Sequence, residues 1–85
     1  MKEKRKIYND SKFVLVVNIV FTKHAKEQMK ERGISEDEVI NTLKFPESTQ
    51  KIDELYYVRK RTNQGIIEVV YEKQNYIKVI TLYPL

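Results

Sequence analysis

The segment 21–38 constrains the fold most, because both ends of one helix are marked in it. Thr22 carries a hydroxyl that can accept a hydrogen bond from an unpaired amide in the first helical turn. Gly33 can adopt the left-handed conformation that commonly ends a helix. The pattern therefore predicts a short helix over about residues 23–32.

A second helix is predicted directly after the first. Ser35 and Glu38 have the spacing of a capping box, in which each residue satisfies a free amide of the other. Pro46 cannot continue a helix, so we expect this one to end near Lys44 or Phe45. Two short helices should therefore meet at a tight corner.

Length and composition predict one small domain. The chain has 85 residues, with 41% hydrophobic content, no cysteine and one histidine. Disulfides and thiolate metal sites are excluded, and a typical zinc or iron site is improbable, so we expect no metal and no cofactor. The polar residues 1–11 should form a mobile basic arm, and residues 12–85 a single folded domain.

The charge balance favours an anionic partner. Sixteen basic and twelve acidic residues give a formal net charge of +4, which places nucleic acid first among the candidate partners.

The apolar run 13–21 is rich in β-branched residues and is far shorter than the ~20 residues of a membrane helix. No small-residue cleavage site follows it, so a buried strand inside the sheet is favoured over a signal peptide. The sequence thus predicts a cytoplasmic protein without a membrane partner.

The second half of the chain changes to the alternating pattern of β-strands, with candidates at 48–53, 55–62, 65–73 and 76–83. The first of these could run into the second. The predicted fold is α+β in the order β-α-α-β-β-β, with both helices packed on one face of a mostly antiparallel sheet.

Opposite charges set the expected strand register. Pairing Arg59 with Glu68 also pairs Val58 with Val69, and the next hairpin should then pair Val69 with Ile80. This register predicts two different sheet faces. The expected packed face holds Val58, Ile67, Val69, Tyr71, Ile80 and Leu82. The other face holds Tyr57, Arg59, Arg61, Glu68, Thr81 and Tyr83.

This second face has the residue types of an RNA surface. Arginine can bind a phosphate and stack on a base, and tyrosine, as at Tyr57, offers a ring for stacking. Metal-independent RNA cleavage needs a base, a group that stabilises the phosphorane and an acid. The candidates are Glu68 or His24 as base, Arg59 and Arg61 on the phosphate, and Tyr83 or a lysine as acid. The alternative is a set of solvated ion pairs without function.

His24 and Arg32 also have two interpretations. His24 lies in the first helical turn, where the positive end of the helix dipole favours an uncharged imidazole that could act as a base. Alternatively, it donates an orienting hydrogen bond to the backbone or the sheet. Arg32 shares a helical stripe with Ala25 and Met29, which predicts a contact between the helical corner and a carboxylate or carbonyl.

The motif His24-Ala25, Met29, Arg32-Gly33-Ile34 and the closing Lys78–Tyr83 resemble a family of small prokaryotic proteins, the domain of unknown function 4258 type. That family has been placed near the RelE and BrnT toxins, with a RelE/ParE/BrnT-like fold, and the similarity covers about residues 19–84.

The toxin resemblance implies a small α+β ribonuclease that cuts messenger RNA, often on the ribosome, and is held inactive by an antitoxin protein. It implies structural roles for Arg32 and Gly33, and RNA contacts for Arg59, Arg61 and Tyr83. Glu68 departs from this pattern, because it partly neutralises the basic face. The competing hypothesis is a non-catalytic interaction module, such as a homodimer, whose partner adds a strand or a helix to the sheet.

Overall fold

The computed structural model describes residues 18–85. The basic arm predicted for residues 1–11, and residues 13–17 of the predicted first strand, lie outside this range. The described elements follow the order β1 (Ile19–Phe21), α1 (Lys23–Arg32), α2 (Glu36–Lys44), β2 (Ser48–Ile52), β3 (Leu55–Thr62), β4 (Gly65–Lys73) and β5 (Ile77–Pro84).

The sheet has five strands in the order β1-β5-β4-β3-β2. The β1–β5 pair is parallel, and the other pairs are antiparallel. The predicted α+β class and the β-α-α-β order are therefore confirmed. Residues 48–62 form two strands rather than one, because Asp53 turns the chain with a φ of 56°, a conformation that aspartate tolerates.

Both helices have the predicted ends. The Thr22 hydroxyl accepts a hydrogen bond from the Ala25 amide at 3.0 Å, and Gly33 ends α1 with a φ of 67°. In the second helix, Ser35 and Glu38 form the complete capping box. Local hydrogen bonding therefore explains why these two segments are helical and why they meet at a corner.

The hydrophobic core lies between the helices and one face of the sheet. Its buried members are Ala25, Ile34, Val39, Val58, Ile67, Val69, Ile77, Val79 and Leu82. The pairing of Arg59 with Glu68 and of Val58 with Val69 is confirmed.

The register predicted for the last hairpin is wrong. Val69 pairs with Leu82 rather than Ile80, and Ile67 pairs with Pro84 rather than Leu82. A β-bulge then leaves Ile80 without a partner in β4, because Tyr71 pairs with Val79. The bulge therefore turns Val79, and not Ile80, into the core.

The strand β1 is the described part of the segment that was expected to form an interior strand. Among the described strands it lies at one end of the sheet, with β5 as its neighbour. Val20 is accordingly 48% exposed, while Ile19 and Phe21 pack against the core. Within residues 18–85, no helix is both long enough and apolar enough to cross a membrane.

Candidate functional site

Three polar side chains form a row across the sheet on the face opposite the helices. Arg59 on β3 lies directly across from Glu68 on β4, which lies across from Tyr83 on β5. Arg59 Nε donates to Glu68 Oε2 at 3.1 Å, and the Tyr83 hydroxyl donates to Glu68 Oε1 at 2.7 Å. We call these three residues the Arg–Glu–Tyr row.

The two charged members of the row differ strongly in exposure. The Glu68 side chain is 9% exposed, whereas that of Arg59 is 51% exposed. A buried carboxylate is stable only when its oxygens accept hydrogen bonds, and here each oxygen accepts one. The row therefore has a buried negative centre and a positively charged outer end.

The contact through Nε determines how the Arg59 guanidinium is presented. Because Nε binds Glu68, the side chain is held in place by its inner nitrogen. The Nη1 and Nη2 groups make no hydrogen bond to any other residue in the described part of the chain, and they retain four N–H donors. A planar pair of donors of this kind fits two oxygens of a phosphate.

Tyr83 is held in its neutral form. Burial, followed by the hydrogen bond to Glu68 and the negative charge of that residue, raises the pKa of Tyr83 to about 12. This value includes two smaller contributions, in which Tyr57 raises the pKa of Tyr83 and Arg59 lowers it. At neutral pH the Tyr83 hydroxyl is therefore a proton donor rather than a base.

The register extends the row into a larger surface, which we call the arginine face. It consists of Tyr57, Arg59, Arg61, Glu68, Thr81 and Tyr83. Tyr57 and Thr81 both pair with Val70, and each lies two residues from the row along its strand. Arg61 lies two residues from Arg59 in the other direction. The structure thus places all six residues on one face, as expected.

The sequence reasoning missed four residues on this side of the sheet, of which two are apolar: Val70, opposite Tyr57, and Ile66, opposite Arg61. Ser48 pairs with Arg59, and Gln50 pairs with Tyr57, which adds two exposed polar residues from β2. The alternation within 48–52 would have indicated them once this segment was treated as a separate strand.

His24 is not part of this surface. It is exposed on α1, and the next residue, Ala25, is buried in the core on the other side of the sheet. The predicted orienting hydrogen bond is absent among residues 18–85. Arg32 is likewise exposed, and no described residue provides the carboxylate or carbonyl contact that we expected for it.

No group of three or more potential ligand side chains that could hold a metal ion occurs within the described range. The chemistry that the arginine face offers is anion binding by arginine, stacking on tyrosine rings and proton donation by a phenol.

The fold and this surface define a small α+β protein with a polar, partly basic sheet face. A family model described as "Domain of unknown function (DUF4258)" matches residues 21–84. The protein belongs to this family, and the resemblance based on His24, Arg32 and Gly33 is confirmed to that extent. No curated protein and no solved structure shows a significant match. The likeness to RelE-like toxins stays a prediction.

Proposed function

We propose that this protein binds single-stranded RNA on the arginine face. The observation that supports this most is the Arg59–Glu68 contact, because it fixes Nε while the outer nitrogens bind no other residue among residues 18–85. Random surface arginines lack such a support, and ordering them on binding costs side-chain entropy. A guanidinium oriented in advance avoids part of this cost.

The other residues of the face favour RNA over a simple anion. Tyr57 and Tyr83 are half-buried, so their rings are held in place while part of their surface stays accessible. Bases of a single strand can stack on such rings, and Arg61 is exposed beside them to contact a second phosphate. The formal charge of +4 assists association with any nucleic acid.

The test is the affinity for a labelled single-stranded RNA, measured by fluorescence anisotropy. The double variant Arg59→Ala/Arg61→Ala should bind about a hundredfold more weakly, because two charge-assisted contacts are lost. Lys23→Ala/Lys30→Ala is the matched control, since it removes the same charge from exposed positions on α1. Equal losses in both variants would show that only diffuse charge matters.

RNA cleavage is a second candidate function, and the Tyr83–Glu68 hydrogen bond favours it. Glu68 would accept the proton of a 2′-hydroxyl while the 2′-oxygen attacks the phosphorus. The 5′-oxygen would leave with the Tyr83 proton, and the proton on Glu68 would then return to Tyr83. The products are a 2′,3′-cyclic phosphate and a free 5′-hydroxyl. The burial of Glu68 makes this step less accessible than binding, so binding is the first proposal.

Induced expression in growing cells tests cleavage. A RelE- or BrnT-like ribonuclease toxin of the cytoplasm, held in check by an antitoxin, should arrest growth and deplete intact messenger RNA. The Arg59→Ala/Arg61→Ala variant should do neither at the same protein level. Normal growth with intact transcripts, together with RNA binding in solution, would leave a non-catalytic RNA-binding protein. Absence of both activities would favour a protein-interaction module.

A further inference from the structure

The strand β2 lies at the end of the described sheet opposite β1, and its outer edge has no partner among residues 18–85. All five of its residues, Ser48–Ile52, are exposed. Unpaired N–H and C=O groups along such an edge can bind another strand. Edge strands are often protected by proline, a bulge or several charges, whereas β2 contains one charge, Lys51, and no proline.

The segment around β2 is complementary to itself. If two copies pair in antiparallel fashion with Thr49 opposite Thr49, then Glu47 of each copy lies opposite Lys51 of the other. The same register places Ser48 opposite Gln50 and Ile52 opposite Pro46. Opposite charges thus meet twice, and no like charges are paired.

The Lys51 ammonium group and the second carboxylate oxygen of Glu47 are the groups left for this contact, because the Glu47 backbone amide donates to the Arg59 carbonyl of β3 at 2.8 Å. Both Glu47 and Lys51 are exposed. Glu47 uses Oε1 to accept the Arg61 amide at 3.0 Å, and its Oε2 has no partner in the described part of the chain. Lys51 lies over the Tyr56 ring with Nζ 5.3 Å from the centroid, so its ammonium group is already held near the strand.

Exposed apolar side chains lie near both ends of this edge. Phe45 is 63% exposed and Ile52 is 47% exposed. In the register centred on Thr49, Ile52 of one copy approaches Pro46 and the neighbouring Phe45 of the other. Pairing would therefore bury apolar surface at both ends of the strand pair.

We propose that β2 is a homodimer interface, in which two copies pair edge to edge in the register centred on Thr49. The two sheets then continue into each other. Neighbouring antiparallel strands are related by a two-fold axis perpendicular to the sheet, so both arginine faces lie on the same side. A five-residue contact buries less than a typical stable interface, and we therefore expect a weak dimer with a dissociation constant on the order of 10 μM.

Sedimentation equilibrium of the full chain over a range of concentrations tests this proposal by means of a charge swap. Lys51→Glu gives a copy with two acidic positions, and Glu47→Lys gives a copy with two basic positions. The dissociation constant of each variant's homodimer should be at least about tenfold higher than that of the wild-type dimer, because like charges then oppose each other. A mixture of the two variants should form a heterodimer, and the double variant Glu47→Lys/Lys51→Glu should form a homodimer again.

A monomeric wild-type protein at several hundred micromolar would overturn the proposal. Homodimers of both single variants as stable as the wild-type dimer would also overturn it, since dimerisation would then use another surface. Thermal unfolding of each variant checks that it is folded, and recovery in the mixture cannot be explained by misfolding. None of these outcomes depends on RNA binding.

Discussion

Glu68 organises the arginine face because it is a buried acceptor between two donors from neighbouring strands. Its two oxygens bind Arg59 and Tyr83, so one carboxylate connects β3, β4 and β5. The apolar neighbours Ile67 and Val69 point to the opposite side of the sheet, into the core. A polar residue within this apolar run is stable only because its partners lie opposite it in the register.

Replacing Glu68 should therefore destabilise the fold. We expect Glu68→Ala to lower the free energy of unfolding by about 1–3 kcal/mol, because both hydrogen bonds are lost in a poorly hydrated place. Glu68→Gln keeps one acceptor oxygen and should lose less. Urea unfolding measures both changes. An Ala variant as stable as the wild-type protein would contradict this role of Glu68.

The raised pKa of Tyr83 predicts a dependence of stability on alkaline pH. An ordinary tyrosine in the unfolded chain has a pKa near 10, and Tyr83 in the folded protein has one of about 12. The folded state therefore retains this proton longer than the unfolded state does. The contribution of the neutral phenol is complete below pH 10 and is lost as the pH rises from 10 to 12.

Comparison with Tyr83→Phe isolates this effect. The stability of the wild-type protein relative to the variant should be constant below pH 10 and should fall between pH 10 and pH 12. Urea unfolding at each pH provides the stability, and ultraviolet difference spectra follow phenol ionisation. A relative stability that is unchanged up to pH 12 would contradict the Tyr83–Glu68 interaction.

At the scale of elements, side-chain hydrogen bonds link α1 to β5. The Thr22 hydroxyl donates to the Ile80 carbonyl at 2.8 Å while it also caps α1. Gln28 Nε2 donates to the Leu82 carbonyl at 3.2 Å. These bonds connect the helix to the strand at the bulge, where Ile80 lacks a partner in β4.

Thr22→Val tests how much the hydrogen bonds of the Thr22 hydroxyl contribute to stability. The substitution keeps the shape of the side chain but removes the cap and the bond to Ile80, at a cost of about 2 kcal/mol. Thr22→Ser keeps the hydroxyl and should cost much less. Thermal or urea unfolding distinguishes the two variants. Equal stability of the Val and Ser variants would mean that the hydroxyl is unimportant.

Helices and strands were predictable here because their signals are local. Thr22, Gly33 and Ser35 mark helix ends by their own hydrogen bonds and backbone angles, and alternation marks the strands. The bulge at Ile80 was not predictable from local patterns, and it lies where Thr22, 58 residues away in the chain, donates to the Ile80 carbonyl. The predicted register was incorrect by two residues at Val69: one residue arises at the turn, where Lys73 pairs with Ile77, and the other at the bulge. The two faces nevertheless remained correct for Val69 and Leu82.

At the scale of the whole molecule, the sheet separates two surfaces. One face is covered by the helices, and the other carries the Arg–Glu–Tyr row. The predicted pairing of Arg59 with Glu68 identified that pair from charge alone, and strand parity placed Tyr83 on the same face. The predicted register, however, put Thr81 rather than Tyr83 opposite Glu68. The separation of His24 from the row follows from the predicted packing of both helices on the face opposite Arg59 and Glu68.

The most direct test of the proposed RNA site is the salt dependence of RNA affinity for the wild-type protein and Arg59→Ala. Each phosphate contact on a single strand contributes about 0.7 to the slope of log affinity against log salt. We predict that Arg59→Ala lowers the magnitude of the slope by about this amount, while the control Lys30→Ala on α1 leaves it unchanged. A slope for Arg59→Ala equal to that of the wild-type protein would contradict a phosphate site at Arg59.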